Sequence, residues 1–558
     1  MSRGSAQKKY DARRRAILDS ERCLQQRNEE GVFETVLASP KVYSQGMASI
    51  EYQSILGHLS RWPDTRCERA FFPEKDELNW RKRSERSFVT LDSGSPIERS
   101  DLIVFHIGHE SDYEYVLQMM QLSGLEIWGE RRQRRWPLLI GTGITVTANP
   151  LPLAPFLDAF IVGETEPALG PVLDTIKSLG AQGASKRKIL RWIAQLPGIY
   201  VPSHHGYRDV KTTIMRQWAG ADTIGTRTCV FAPQSDLGPV MMLEIARGCP
   251  FNCRFCMGGY IYLPYREKRL EDLQEAMDDL EGPSTIGLLG CAPEDHAMYE
   301  DIVDYARRKG HSVITGSLRP EDLGQLRNLP QDYSSDTLVI APETGSDSLR
   351  RVIGKNLDNA TVLRRIESAG EKTERIRLYF MIGLPFETAE DRRAIPELVA
   401  AAREITDLPI SVYITPFIPR PWTAFQWTAM TSPRKLRIAS SEIEPLLDDI
   451  EGVKTEYFSP RDAHIIGLLA RGDHRVSKAL EVRLTGVGWN TAFGEAGINI
   501  NWIFHDLKPG SPFQWDFLNM GFGYTRLARE LQLAVSANQT RIKKREAESS
   551  EEQEEDAE

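Results

Sequence analysis

The stretch EIARGCPFNCRFCMGG, residues 244–259, decides how this 558-residue chain is interpreted. It places Cys249, Cys253 and Cys256 within eight residues. A loop of this length can wrap three thiolates around one corner of a cube, and thiolates favour iron–sulfur clusters and zinc. A structural zinc site normally has four protein ligands, and no fourth Cys or His stands nearby. The spacing therefore predicts an iron–sulfur cluster with one open iron; the alternative is three buried structural cysteines.

This stretch follows the first strand of a predicted α/β unit. Short apolar runs alternate there with helical segments such as 270–280 and 346–353, which favours parallel strands joined by helices. About six strands are predicted, enough for an open or partial barrel. They cover 240–245, 286–289, 312–315, 337–340, 377–381 and 410–414.

A second alternation of strands and helices precedes the cysteines. Helices are predicted at 48–59 and 114–122, and this alternation indicates a doubly wound, Rossmann-like sheet. The predicted strands cover 32–39, 66–72, 102–107, 138–141 and 159–162.

The carboxyl ends of these strands are where a doubly wound sheet binds its ligands. They read SPKVYSQGM (39–47), HIGHES (106–111), GTGITV (141–146) and GETE (163–166). Because these segments are rich in Gly and small polar residues, the backbone could approach a bulky ligand closely.

Composition narrows the class of protein. Hydrophobic residues make up 41% and charged residues 26%, ordinary values for a globular protein. No apolar run is long enough for a membrane-spanning helix, and the basic N-terminus, MSRGSAQKKYDARRR, lacks the apolar core of a signal peptide. Seven cysteines do not make a disulfide scaffold, so we expect a cytoplasmic protein that contacts no membrane.

The net charge of −9 comes largely from the end of the chain, EAESSEEQEEDAE. This segment predicts a solvated, disordered tail, or alternatively an acidic interaction segment. The remainder is nearly neutral, which does not favour a dedicated nucleic-acid binder. The predicted regions are an N-terminal helical arm (1–31), the doubly wound domain (32–180), a connector (181–236), the cysteine-containing core (237–430), a helical C-terminal domain (431–540) and the tail (541–558).

The Cys-x3-Cys-x2-Cys loop after the first strand of an α/β unit resembles the radical S-adenosylmethionine (SAM) superfamily. The resemblance implies that Cys249, Cys253 and Cys256 bind a [4Fe–4S] cluster, whose open iron takes the amino and carboxylate groups of SAM. It also implies a partial (β/α)6 barrel and an electron donor such as flavodoxin or ferredoxin. The other positions that match its SAM contacts are Phe255, Gly290, Glu294, Glu343, Ser346, Gly383 and Pro385.

One segment departs from that family's pattern. The second barrel strand normally ends in a Gly-Gly-Glu-like motif, whereas this chain has GLLGCAPEDH at 287–296. Gly290 is retained, and Glu294 or Asp295 could replace the glutamate. Cys291 is a candidate catalytic residue; the alternative is a small buried side chain.

The whole layout resembles the cobalamin-binding group of radical SAM proteins, closest to an uncharacterised bacterial subgroup and distantly to a thiopeptide tryptophan C-methylase. The shared phrases include YSQGM (43–47), RAFFP (69–73) and LLARGD (468–473). The resemblance implies a cobalamin site without the usual Asp-x-His-x-x-Gly ligand motif. The alternative is a sheet that serves only as a scaffold. The candidate cobalamin residues are Tyr43, Gly46, Met47, Arg69, Gly108, Gly141, Gly143 and Glu164.

These resemblances predict a cobalamin- and SAM-dependent methyltransferase that acts on an unactivated carbon. Two alternatives are a radical SAM enzyme without cobalamin, acting on RNA or a small molecule, and a non-catalytic iron–sulfur sensor. The substrate is not encoded in any motif, and a small molecule or peptide is favoured over RNA.

Overall fold

The structure is a computed structural model, and it describes residues 3–84, 87–133, 135–225, 227–282, 284–314, 337–369 and 373–555. The chain begins with helix α1 (Arg3–Ser20), which forms the predicted N-terminal arm. Among the described residues we find no helix with the length and hydrophobicity needed to pass through a bilayer.

Six strands form the N-terminal sheet: β1 (Phe33–Ser39), β2 (Thr65–Phe71), β3 (Leu102–His106), β4 (Leu138–Thr142), β5 (Ala159–Ile161) and β6 (Ile199–Tyr200). Their spatial order is β2-β1-β3-β4-β5-β6, and only β6 is antiparallel. This is the order of a doubly wound sheet, so the predicted fold class is confirmed. The strand order reverses between β1 and β3, where such sheets bind ligands.

Helices cover both faces of this sheet: α2 (Ile50–Arg61), α3 (Lys75–Ser84), α4 (Asp112–Leu122), α5 (Glu166–Ala181) and α6 (Lys186–Ile193). Neighbouring strand residues are buried on opposite faces, as in Val36 and Ile103 against Leu37 and Val104. The face with Val36 shares its core with Leu527 of the C-terminal region, so the two regions pack as one hydrophobic cluster.

The predicted connector is more than a linker. Besides α6 and β6 it contributes two short strands that pair with distant segments. Ile214–Met215 pairs with Leu518–Asn519, and Val230–Phe231 pairs with Arg22–Cys23. These pairings tie the connector to both ends of the chain.

Seven parallel strands form the second α/β unit: β7 (Val240–Glu244), β8 (Thr285–Leu289), β9 (Ser312–Ile314), β10 (Thr337–Glu343), β11 (Arg375–Ile382), β12 (Ile410–Pro416) and β13 (Val453–Tyr457). They form a three-stranded sheet, β7 to β9, and a four-stranded sheet, β10 to β13. All six predicted strands are present, although the end of the third, at 315, lies outside the described residues.

Strand β13 is an addition that the sequence did not predict, because 431–540 was expected to be helical. Its sequence, VKTEY, carries polar side chains and is half-exposed, since it lies at the edge of its sheet. The helices that accompany the barrel are α7 (Leu270–Asp278), α8 (Tyr299–Arg308), α9 (Asp347–Ile353), α10 (Asn359–Glu367) and α11 (Ala389–Ile405).

The C-terminal region is otherwise helical, as predicted: α12 (Pro433–Asp448), α13 (Pro460–Arg471), α14 (Val476–Arg483), α15 (Trp489–Glu495) and α16 (Tyr524–Glu555). Helix α16 corrects the prediction of a disordered tail over 541–555. Arg541 and Arg545 both donate to the carboxylate of Asp391, at 2.8 and 3.1 Å, and so hold the start of the tail against α11. The other predicted domain boundaries stay predictions.

Candidate functional site

The cysteine loop leaves the carboxyl end of β7 and ends where a short helix, Met257–Ile261, begins. Gly248 opens it with φ +84°, and a Cβ there would lie 2.6 Å from the carbonyl oxygen of Tyr262. Arg254 anchors its middle: the amide donates to Ile353 O at 2.9 Å and Nη1 donates to Val352 O at 2.8 Å. The loop is thus fixed to the end of α9.

The three cysteines of this loop are partly exposed. Within the described part of the chain, no three His, Cys, Asp or Glu side chains converge closely enough to hold a single metal ion. A cubic cluster offers a separate iron to each thiolate, so its ligands need not converge on one point. The thiol set and its place at a strand end therefore fit a [4Fe–4S] cluster.

Beside the loop lies a cavity of about 1150 Å³, which we call the barrel chamber. It is bounded by the carboxyl ends of β10, β11 and β12. Phe255, Cys256 and Glu343 line it, so the structure brings together one predicted cluster ligand and two predicted SAM contacts.

Glu343 has a conformation that is unusual outside glycine. It ends β10 with φ +66°, is buried, and its Oε1 lies 3.4 Å from Nζ of Lys355. Strained backbone of this kind persists where surrounding structure over-determines it, often at binding sites. The carboxylate is therefore held at the wall of the barrel chamber.

The other predicted SAM contacts lie elsewhere. Ser346 caps α9 by accepting from Leu349 N at 3.3 Å, and Gly383 donates its amide to Glu387 at 2.9 Å. Glu294 is exposed and pairs with Arg365 at 3.2 Å. Neither these three nor Pro385 lines the barrel chamber. Ser346 and Gly383 thus take part in a cap and a turn of the barrel, and the SAM contacts assigned to these residues stay predictions.

A second cavity, of about 1250 Å³, lies between the two α/β units, and we call it the interdomain chamber. The ends of β1, β3 and β5 face the ends of β7 and β8 across it. Gly290 and Cys291 line it from the barrel side. It meets the barrel chamber at Gly108, His109 and Ile144, which line both cavities.

Three of the eight predicted cobalamin residues line this chamber, namely Gly46, Gly108 and Glu164. A Cβ on Gly108 would meet nothing closer than His106 Cε1 at 3.8 Å, so this position is open. The remaining five residues do not line it: Tyr43, Met47, Arg69, Gly141 and Gly143.

The sequence-based assignment of Arg69 to a cofactor is therefore corrected. Its guanidinium is 1% exposed and is bound by Glu21 at 2.6 Å and by Asp92 at 2.8 Å. Tyr43 donates to the same Glu21 carboxylate at 2.7 Å. A buried arginine with two carboxylate partners joins the N-terminal arm to β2 and is not available to a ligand.

An ion-pair network that sequence reasoning missed closes one wall of the interdomain chamber. Arg247 donates to Glu244 twice at 2.8 Å and lies 3.1 Å from Glu164 and 2.9 Å from Glu166. Arg266 pairs with Glu164 at 2.7 Å. The glutamates of the N-terminal domain thus hold arginines of the barrel, which fixes the two units around the chamber.

Burial and the neighbouring charges shift the pKa values of the glutamates in this network. Burial raises the pKa of Glu244 above its usual value. Burial would also raise the pKa of Glu166, but the Arg247 guanidinium outweighs it and the pKa is lowered. The network is consequently ionised at Glu166 and Arg247 near neutral pH.

His109 is the second feature that sequence reasoning missed. It is 5% exposed and lines both chambers. Burial, together with the charges of Arg420 and Lys41, holds its pKa well below the usual value, so the ring is neutral. The signal was present in HIGHES (106–111), where His109 is the second residue after a predicted strand, but Gly108 was selected as the candidate ligand contact.

Comparison with known proteins agrees with this geometry. The family described as radical SAM proteins, N-terminal, matches residues 52–202, and the radical SAM superfamily matches residues 243–399. An uncharacterised protein of Methanocaldococcus jannaschii is 26% identical over 452 residues, which cover 79% of this chain and 89% of the relative.

Solved structures with a similar arrangement include the cobalamin-dependent SAM radical enzyme OxsB with aqua-cobalamin bound, at 13% identity and a TM-score of 0.38. The alignment covers 84% of this chain, which spans only 62% of the OxsB chain. Streptococcus suis SuiB bound to SAM is similar at 11% identity and a TM-score of 0.26, over 49% of this chain and 56% of SuiB. Since the two family models together match more than half of the sequence and the second spans the cysteine loop, this chain belongs to the radical SAM superfamily of enzymes.

Proposed function

We propose that this enzyme is a cobalamin- and SAM-dependent methyltransferase acting on an unactivated carbon. The observation that carries the proposal is the junction of the two chambers. A ligand at the ends of β1 and β3 and a ligand beside Cys256 would face each other across Gly108 and His109. That placement suits a reaction that needs two cofactors in one enclosed space.

The residues of the cysteine loop and those that line the two chambers are of types that could hold both a [4Fe–4S] cluster with SAM and a cobalamin. When bound, the cluster and SAM would supply a radical or a methyl group, and cobalamin would carry the methyl group to carbon. Cys249, Cys253 and Cys256 would hold the cluster, and Phe255 and Glu343 would contact SAM. Glu343 can accept hydrogen bonds from ribose hydroxyls or an ammonium group.

The interdomain chamber has the lining that a corrin with an amide-bearing rim requires. Ser39, Gln45, Ser49 and Ser54 provide uncharged donors and acceptors there, and Gly108 leaves space for a large planar group. The Arg247 network binds the two units together and so holds the two sides of the chamber in place.

The decisive test is a spectrum of the full-length protein purified without oxygen. After reconstitution with iron, sulfide and hydroxocobalamin, then desalting, we expect broad absorption near ~400 nm, a corrin band and about one cobalt per chain. Incubation with SAM and reductant should then give 5′-deoxyadenosine or S-adenosylhomocysteine. Cluster absorption without cobalt would instead support a radical SAM enzyme that uses no cobalamin.

A chamber-filling variant locates the cobalamin. Gly108→Leu should lower the retained cobalt severalfold and leave the iron content unchanged, because the new side chain would occupy the open space beyond β3. The matched control is Gly494→Leu in α15, where a Cβ would meet nothing within 4 Å. If Gly108→Leu retains as much cobalt as the control, cobalamin does not bind in the interdomain chamber.

The proposal also includes an external electron donor, such as flavodoxin or ferredoxin, and a reducing, cytoplasmic setting for the cluster. If the reconstituted protein with SAM and a chemical reductant forms neither 5′-deoxyadenosine nor S-adenosylhomocysteine, the sensor alternative would be favoured.

A further inference from the structure

A third cavity, which we call the side chamber, opens beside the barrel chamber. It has about 1160 Å³ of space and lies between the ends of β12 and β13, the start of α4 and helix α13. It meets the barrel chamber at Thr415 and His109, and His109 also lines the interdomain chamber. The side chamber is thus a route from the surface to the place where both cofactors would meet.

The charges that line the side chamber are all negative. Glu114, Glu456 and Asp462 contribute carboxylates, and no Lys or Arg stands among the described residues that form its wall. Arg483 neutralises Glu114 from outside at 3.0 Å. Lys454 approaches Glu456 only to 3.6 Å and is largely exposed. Among the described residues Asp462 has no ion-pair partner, so the lining of the side chamber carries a net negative charge that an anionic substrate would meet.

Aromatic rings provide most of the remaining wall. They are Tyr115, Tyr413, Tyr457, Phe458 and Trp489. Tyr413 is 1% exposed, and its hydroxyl has no hydrogen-bond partner among the described residues. Because a buried, unpaired hydroxyl is costly, it suggests that a bound ligand completes this wall.

His109 stands at the inner end with a free ring nitrogen. The Ser111 amide donates to Nδ1 at 3.2 Å, so in the neutral ring Nε2 carries the hydrogen. Nε2 has no hydrogen-bond partner among the described residues, and the nearest carboxylate oxygen, on Glu110, is 3.8 Å away. It can therefore donate to an acceptor on a ligand that reaches the junction.

We propose that the side chamber is the substrate site and takes an organic cation, a protonated amine, with its reacting end at His109 and Thr415. This inference rests on the proposed function, since it names the substrate class of the same enzyme. Carboxylates at the outer end would attract the ammonium group, and the rings would stabilise it through cation–π contacts. Substrates with a phosphate backbone are disfavoured by the same charges.

Two probes of equal shape and opposite charge test the charge preference. Tyramine and 4-hydroxyphenylacetate are titrated calorimetrically into full-length, cluster-reconstituted protein without cobalamin. We expect tyramine to bind at least ~10-fold more tightly, the change that one favourable charge contact can produce. The Glu456→Gln/Asp462→Asn variant should lose about that factor for tyramine and bind the acid more tightly than the wild type does. Asp462 is exposed and Glu456 is partly exposed, so the fold should survive, which a melting curve checks.

The control is Glu404→Gln, which removes an exposed carboxylate from α11, away from the side chamber. The assignment would be overturned if the two probes bound with equal affinity or if Glu404→Gln lost as much tyramine affinity as the double variant. It would also be overturned if SAM displaced tyramine. Displacement would place the amine in the barrel chamber. The tyramine titration is done without cobalamin, and the cobalt-retention experiment is done without an amine. Failure of this inference can therefore be distinguished from failure of the proposed methyltransferase function.

Discussion

The cysteine loop and the interdomain chamber are built in opposite ways. The loop draws its three thiols from eight consecutive residues, and Arg254 ties its middle to the end of α9. The chamber wall joins Glu164 and Glu166 to Glu244, Arg247 and Arg266, which lie 78 or more positions further along. The first site is specified by local spacing and the second by the packing of two domains, so they should respond differently to substitution.

The largest expected effect is at the loop. Cys253→Ala removes one of three thiolates that each hold an iron, so iron content and 5′-deoxyadenosine formation should fall to background. Cys23→Ala, at an exposed cysteine outside the loop, is the matched control and should keep both. Iron analysis and chromatography of the SAM products measure the outcome. Cleavage of SAM by Cys253→Ala protein would show that the cluster is not held by this loop.

The next effect is at the chamber wall. Arg247→Met leaves Glu244 and Glu166 buried without their shared cation, which should cost about 3–5 kcal/mol of unfolding free energy. Arg269→Met is the control, because Arg269 is exposed and its pair with Asp272 should contribute little to stability. Denaturant titration compares them. Equal losses in the two variants would mean that the network does not stabilise the interdomain contact.

A pH series distinguishes a carboxyl of the barrel, Glu387, from a carboxyl of the chamber wall, Glu166, because their pKa values are shifted in opposite directions. Burial raises the pKa of Glu387, in the turn after β11, to about 7. The folded state therefore binds this proton more tightly than the unfolded state, and stability falls as pH rises from about 4.5 to about 7. Glu387→Gln should remove up to about 3 kcal/mol of that fall.

Glu166, in the chamber wall, has a lowered pKa and should behave in the opposite way. Its contribution is present above its usual pKa and is lost on acidification, so Glu166→Gln should flatten the acid limb only. Thermal melts from about pH 2 to about pH 8 measure both slopes, since the Glu166 limb lies below its usual pKa. An unchanged slope in Glu387→Gln protein would show that this carboxyl titrates normally.

The smallest effect concerns a residue that the sequence placed at SAM. Ser346→Ala removes the cap of α9 and should cost about 1 kcal/mol, while the affinity for SAM stays within twofold. Melting curves and equilibrium binding of SAM to cluster-loaded protein measure the two quantities. A tenfold loss of SAM affinity would return Ser346 to the binding site.

Much of the architecture was readable from patterns. The alternation of apolar runs predicted the doubly wound sheet and the six barrel strands, because buried parallel strands must be short and apolar. Strand β13 was missed because it is an edge strand with a solvent-exposed side, and its polar sequence therefore looks like that of a loop. The helical start of the tail was missed because it is held by ion pairs between two arginines and Asp391, which lies 150 residues before the first of them.

The sequence by itself determined the fold class and predicted the cluster ligands, because both depend on spacing and periodicity within short segments. Only the tertiary structure decided which residues face a cavity. In the structure Arg69 is buried in an ion pair, Ser346 caps α9, and His109 lies where the three chambers meet. The physical reason is that charge pairing and packing are settled between segments that are far apart in the chain, where no local pattern records the partner.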